Sequence, residues 1–307
     1  MSCGSLFATV LRRQAVRLDR TLTLGLFGPL GRLRMRGSSQ GIPILMYHSV
    51  SQDLDDTVHP YFRTVTSPEK FALQVGVLRA AGYAAVTLSQ ALGELEDSKR
   101  GVLPVHGAPK VVITFDDGFR DFQDSAYPVL QAAGYTATVF LPTAFIGRRF
   151  VTGRDCLGAA EVRRLAAQGI EFGSHSATHR RLVDLGAHEL RTELHDSKAA
   201  IEDATGREVK TFSYPYRFPE QDEGFVARLG GLLDECGYSG GVTTAIGRAS
   251  GRDDRRFLPR LPVNDCDDEP LLRAKLLGHY DWLRSGQRAR KRTRALWQEL
   301  SSHLRRA

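Results

Sequence analysis

A chain of 307 residues with 42% hydrophobic content can bury one barrel-sized core, so a short peptide-like or fully disordered class is excluded. The net charge of +7 is carried by the two ends: residues 1–39 hold seven Arg against one Asp, and residues 284–307 hold eight basic residues against one Glu. Those ends carry +6 and +7, leaving −6 between them, a mildly acidic middle that argues against a nucleic-acid groove as the main function.

Three regions are expected: a basic N-terminal extension over 1–39, a catalytic domain over 40–283 and a basic tail over 284–307. The uncharged stretch 21–31 is short, broken by Gly25, Gly28, Pro29 and Gly31, and preceded by Arg12, Arg13, Arg17, Asp19 and Arg20. It reads as a poor signal peptide and no transmembrane helix. Cys3, Cys156, Cys236 and Cys266 are scattered without a paired motif, which is compatible with a reducing compartment. The expectation is a cytoplasmic protein whose basic ends touch the inner membrane face, with export left open; solvated tails are the competing reading of the same charge.

From Gly41 onward, short apolar runs alternate with helical patterns, which predicts a parallel α/β sheet or barrel. Strands are predicted over 42–47, 85–87, 110–114, 137–141, 170–172, 211–213 and 240–244. Ser67-Pro68-Glu69 reads as a helix start running to a stop at Gly82, and 121–134, 159–169, 188–206 and 222–237 behave likewise, each ending at glycine. Residues 93–108 mix charge with glycine and proline and read as a surface loop.

The chemistry-bearing residues follow these strands. Thr114-Phe115-Asp116-Asp117-Gly118 puts two adjacent carboxylates at a strand end, and His175-Ser176-Ala177-Thr178-His179 puts two imidazoles four residues apart after another. Carboxylate and neutral imidazole suit zinc or a similar divalent ion, one carboxylate binding metal while its neighbour acts as base. His48 follows the first strand and Tyr214-Pro215-Tyr216 follows the sixth, so four strand ends would meet at one mouth. Taken singly, each motif has a plainer explanation as a turn, a surface pair or a core residue; their order and shared placement favour a site.

Over roughly residues 41–263 the chain resembles the polysaccharide deacetylases, carbohydrate esterase family four. The resemblance implies a distorted TIM-like (β/α)7 barrel with an N-terminal strand carrying Leu45-Met46-Tyr47-His48. It implies Asp116 as general base, and Asp117, His175 and His179 as ligands of a divalent metal, zinc foremost, with cobalt, nickel or manganese open. Phe212-Ser213-Tyr214-Pro215-Tyr216 departs from the family's commonest third motif, since Ser213 stands where an arginine orients the base. It looks instead like the branch acting on poly-β-1,6-N-acetylglucosamine and related exopolysaccharides, with Arg217 in place of a glycine. Arg260, in Leu258-Pro259-Arg260-Leu261-Pro262, is the candidate substitute for the missing arginine. In that branch the His48 position is the general acid, with His279 as competing candidate, and the Tyr216 N–H donates to the oxyanion. Tyr214, Pro215, Tyr216 and Phe119 are the expected sugar contacts. The implied activity is removal of N-acetyl groups from N-acetylhexosamine units of a polysaccharide, oligosaccharide or lipid-linked glycan; a carbohydrate-binding protein with a degenerate deacetylase site is the alternative.

Overall fold

Among the described residues, short and mostly buried runs form ten strands: β1 (Ile44–Tyr47), β2 (Ser49–Val50), β3 (Val65–Thr66), β4 (Ala84–Val86), β5 (Lys110–Phe115), β6 (Thr138–Leu141), β7 (Glu171–Ser174), β8 (Thr211–Ser213), β9 (Gly240–Ile246) and β10 (Leu258–Pro262). They belong to a computed structural model that describes residues 18–29, 41–54, 58–101 and 107–284. Hydrogen bonding runs β1-β10-β9-β8-β7-β6-β5 and returns to β1, so seven parallel strands close a barrel. The expected (β/α)7 barrel is therefore present. β4 pairs with the first half of β5, Ala84 opposite Lys110, while β6 takes the second half of the same edge, Thr114 opposite Thr138. β2 and β3 form a separate small parallel sheet.

Two predicted elements need correction. The strand expected at 85–87 stands beside the ring as β4, and the seventh ring strand is β10, which Pro259 and Pro262 conceal from a propensity reading. The register between β10 and β9 shifts between Leu258 and Arg260, which seats a proline that has no N–H to give. The stretch read as a loop from 93 is largely the helix Leu88–Lys99. A reciprocal capping box between Thr87 and Gln90 starts it, and Leu88, Ala91, Leu92 and Leu95 form a buried seam that outweighs the internal glycine.

Strand alternation splits the core in two. Leu45, Val111, Ile113, Phe115, Val139 and Leu141 face outward under the surrounding helices. Ile44, Val112, Phe140, Val242 and Leu258 face the barrel interior and pack against Leu88, Ala91, Leu92 and Leu95, so this helix seals the N-terminal end. Its Ser89 donates to Glu171, and the Leu88 N–H reaches the Thr138 hydroxyl at 2.9 Å. One end is plugged, which leaves the C-terminal end as the open mouth.

Gly173 lies on the interior face of β7, where a Cβ would stand 2.6 Å from Phe140 Cε1 and 2.6 Å from Thr211 Oγ1. Gly173→Ala is expected to reduce stability by roughly 1–3 kcal/mol through overpacking, read as a lowered Tm with the mouth otherwise intact.

Part of the N-terminal extension is not a solvated tail. Residues 18–22 form an α-helix that continues as a π-helical turn over Thr23–Phe27. Arg20 bonds Asp268 at 2.6 Å, the Tyr280 hydroxyl donates to Asp19 at 2.8 Å, Trp282 donates to Thr23 at 3.0 Å, and Phe27 stacks on Trp282 at 4.8 Å. This segment lies against the chain around the last helix, Glu269–Leu276. The basic tail expected beyond Arg284 lies outside the described residues. No helix among the described residues is long and apolar enough to cross a membrane.

Candidate active site

At the open mouth, β1 ends into His48, β5 into Asp116 and Asp117, β7 into His175, and β8 into Tyr214. Asp117 Oδ1 lies 3.3 Å from His179 Nε2 and 3.6 Å from His175 Nε2. One ligand atom from each of the three lies within 4.8 Å of the others. The His175 ring is turned by a 2.8 Å contact between its Nδ1 and the Ser213 carbonyl oxygen, which leaves Nε2 for the cluster. Asp117 Oδ1 is buried without a hydrogen-bond partner. A buried, unsatisfied carboxylate oxygen is costly unless something else satisfies it, and a divalent cation between two imidazoles would do so. The donor set fits the expected metal.

Asp116 sits beside this cluster in a different environment. Arg260, fully buried on β10, grips it with two bonds, Nη1 to Oδ1 at 2.8 Å and Nη2 to Oδ2 at 2.7 Å. The guanidinium is itself fixed by the Thr243 carbonyl at 3.0 Å and the Thr114 hydroxyl at 3.1 Å. The Ser213 hydroxyl lies 3.2 Å from both Asp116 Oδ1 and Arg260 Nη2. Serine at that position keeps the space small, and the cation arrives from β10 instead. His48 Nε2 stands 3.9 Å from Asp116 Oδ2, with its side chain 22% exposed at the mouth.

The electrostatics separate the groups. Burial pushes the Asp116 carboxyl up, but the Arg260 guanidinium, with His175 and His48, more than offsets this and holds it well below the usual carboxylate range. Asp117 is likewise pushed up by burial and brought below the ordinary value by the adjacent His179 imidazole and by those of His48 and His175. Burial lowers His175 to about 4, so it stands neutral with a lone pair to give at neutral pH.

The backbone is shaped for the same task. Asp117 (φ 69°), Ser176 (φ 64°), His179 (φ 56°) and Tyr216 (φ 59°) are the left-handed non-glycine residues among those described, and all four belong to the site. Such conformations persist only where surroundings enforce them, and they gather at functional sites. Gly118 follows Asp117 at φ 59°, where a Cβ would lie 2.4 Å from Leu141 Cδ2.

Of the expected sugar contacts, all but Tyr216 are buried. Tyr214 is buried against Phe218 and Phe225, with ring centroids 5.1 Å and 6.1 Å away, and Pro215 is buried beside it. Phe119 is buried against Phe150 at 5.4 Å. These rings hold the loops rather than face solvent. Tyr216 is the exposed ring, 50% accessible, with its centroid 4.7 Å from that of His179. His279 is buried with its Nδ1 3.6 Å from where a Cβ on Gly28 would stand, so it belongs to the N-terminal segment's contact and not to the mouth.

Residue patterns did not point to Asp121. Its carboxylate accepts from the Ser49 hydroxyl at 2.5 Å and the Val50 N–H at 3.1 Å, fixing the chain just after His48. The only sequence signal is its place four residues beyond Asp117, which says nothing of a partner 72 residues away.

Comparison with known proteins adds to this geometry. A family model described as polysaccharide deacetylase matches residues 105–231. The YxkH protein of Bacillus subtilis, whose name places it among polysaccharide deacetylases, is 30% identical over 225 residues, covering 73% of this chain and 71% of the relative. The poly-β-1,6-N-acetyl-D-glucosamine N-deacetylase of Staphylococcus aureus is 24% identical over 218 residues, covering 67% of this chain and 70% of the relative. Two solved structures share the fold. Streptococcus pyogenes deacetylase PplD aligns with a TM-score of 0.66 at 22% identity, covering 78% of this chain and 99% of its own. IcaB from Ammonifex degensii aligns at 0.63 and 23% identity, with the same coverage of 78% and 99%.

Proposed function

Because the chain belongs to the polysaccharide deacetylase family, we propose that it hydrolyses N-acetyl groups on N-acetylhexosamine units of a glycan, releasing acetate, with a divalent metal held by Asp117, His175 and His179. The observation that carries this reading is the juxtaposition of that unsatisfied ligand cluster with a second carboxylate, Asp116, locked by Arg260.

When bound, the ion supplies Lewis-acid polarisation of the acetyl carbonyl and acidifies water; zinc suits the imidazole and carboxylate donors best. Asp116 takes the proton from the attacking water. Arg260 keeps it ionised at the expense of basicity, which suits a base whose proton donor is already acidified. The Tyr216 N–H donates to the developing oxyanion, a preorganised contact in a partly dry site. His48, whose Nε2 lies 3.9 Å from Asp116 Oδ2, protonates the departing amine nitrogen. The exposed Tyr216 ring gives a flat apolar face for a sugar.

The name of the Staphylococcus aureus relative favours a β-1,6-linked N-acetylglucosamine polymer or its precursor as substrate. Acetate release from β-1,6 and β-1,4 N-acetylglucosamine oligomers tests both points. Release is expected to stop on chelation, to return with zinc and to favour the β-1,6 series; chelator-resistant release would sink the metal role. A zinc-loaded protein that binds either oligomer without releasing acetate would establish the binding-protein alternative instead.

A further inference from the structure

The two histidines beside Asp117 are held by different means. His175 is oriented through its own ring, by the contact from Nδ1 to the Ser213 carbonyl oxygen. The Nδ1 of His179 is buried and has no hydrogen-bond partner. Its ring is therefore oriented by the rings it packs against, Phe150 at 5.1 Å and Tyr216 at 4.7 Å, and by the direction from which the backbone delivers it.

That backbone needs external support, because it is left-handed at both Ser176 and His179. Three ties are present. The Ser176 hydroxyl accepts from the His179 N–H at 3.0 Å, and the Ser176 N–H in turn reaches Ser174 Oγ at 3.2 Å. The second is a pair of bonds from the neighbouring loop, the Thr143 N–H to the Ser176 carbonyl at 3.3 Å and the Ala144 N–H to the Ala177 carbonyl at 2.8 Å. The third comes from a charged group on another element. Glu193, buried in the helix Ala187–Thr205, accepts the Thr178 N–H on Oε2 at 2.8 Å and the Thr178 hydroxyl on Oε1. Both bonds fall on the residue immediately before His179.

We propose that Glu193 is a positioning residue for metal binding: by clamping Thr178 it sets the direction in which His179 presents Nε2 toward Asp117. The inference rests on the metal reading of the preceding subsection and names a determinant of affinity that lies outside the ligand set. The clamp works by geometry. A backbone N–H can only donate, so one oxygen of residue 193 is indispensable, whereas the Thr178 hydroxyl can donate or accept. Glutamine satisfies both arms, its carbonyl taking the N–H and its amide donating to the hydroxyl, without any charge. Alanine satisfies neither.

The test is a zinc competition titration of the metal-free full chain against a chromophoric chelator. The parent is expected to bind; absence of binding would overturn the metal reading and the clamp with it. Glu193→Ala is expected to weaken zinc binding by about 10–100-fold, and Glu193→Gln by no more than about threefold. Parent-like affinity in a folded Glu193→Ala would overturn the clamp while leaving the metal reading standing. Equal loss in both variants would also overturn it, since charge rather than geometry would then be the cause. If Glu193→Ala does not fold, Thr178→Ala removes the hydroxyl arm alone; about 3–10-fold weaker binding is then expected, and unchanged affinity rejects the proposal.

Discussion

Arg260→Ala is expected to cost about 3–5 kcal/mol of stability and to lower kcat by about 10²-fold, with the stability loss larger at pH 8 than at pH 5. The first effect follows from burial. Arg260 is enclosed by the barrel, and its removal leaves the Asp116 carboxylate buried with the Ser213 hydroxyl as its remaining side-chain hydrogen bond. The second follows from orientation: two parallel bonds fix the carboxylate plane, and a base that can swivel loses its aim at the attacking water. The pH dependence follows from linkage. In the parent, Asp116 titrates below its unfolded value of 3.8, so it contributes stability above that value, which is lost as pH falls through the folded value. Without Arg260, burial acts far less opposed and raises the folded value, so Asp116 then favours unfolding as pH rises. The acidic limb of the rate profile should move upward for the same reason. Arg260→Lys restores a charge but not the fork, so stability should recover more than rate. Urea melts at both pH values, beside acetate release, read these effects; a variant with the parent's rate and stability would dismiss the orienting role.

Much of the barrel is legible because buried parallel strands read as short apolar runs, and 110–114 or 137–141 show this without help from any partner. What escaped was decided elsewhere in the molecule. β10 carries two prolines and becomes a strand only because β1 and β9 flank it. The helix Leu88–Lys99 holds a glycine and several charges, and it is stabilised by the barrel end that it plugs. The helix at 18–22 reads as a basic tail because its partners, Asp268 and Tyr280, lie 248 and 261 residues away.

The site divides in the same way. Asp116, Asp117, His175 and His179 stand in two local motifs, and local motifs are what a sequence displays. Glu193 and Asp121 act across 15 and 72 residues on groups that carry no chemistry themselves. Aromatic motif residues mislead for a related reason: composition shows that Tyr214 and Tyr216 are flat and apolar, but only the left-handed turn at Tyr216 decides that one is core and the other faces solvent. Arg260 is the intermediate case, visible as a cation in search of a role and placed only when β10 closes the ring.

The adjacent carboxylates should fail in opposite ways. Asp116→Asn is expected to reduce acetate release by about 10³-fold or more with zinc affinity near the parent's, because both Asp116 oxygens are engaged by Arg260 and neither belongs to the ligand cluster. Asp117→Asn is expected to weaken zinc binding by at least about 10-fold, because its Oδ1 is the atom both imidazoles face and a neutral amide oxygen is a poorer ligand than a carboxylate. Asparagine also tolerates the left-handed backbone that Asp117 adopts at φ 69°, so the loss would not come from a distorted turn. Position 116 is less forgiving, since an amide nitrogen turned toward Arg260 sets donor against donor; the zinc titration must therefore be made where a melt shows the variant folded. Raising zinc separates the two: it should return activity to Asp117→Asn and leave Asp116→Asn inactive at every concentration. If added zinc rescued Asp116→Asn instead, the two roles would have to be exchanged, and Arg260 would be gripping a ligand rather than a base.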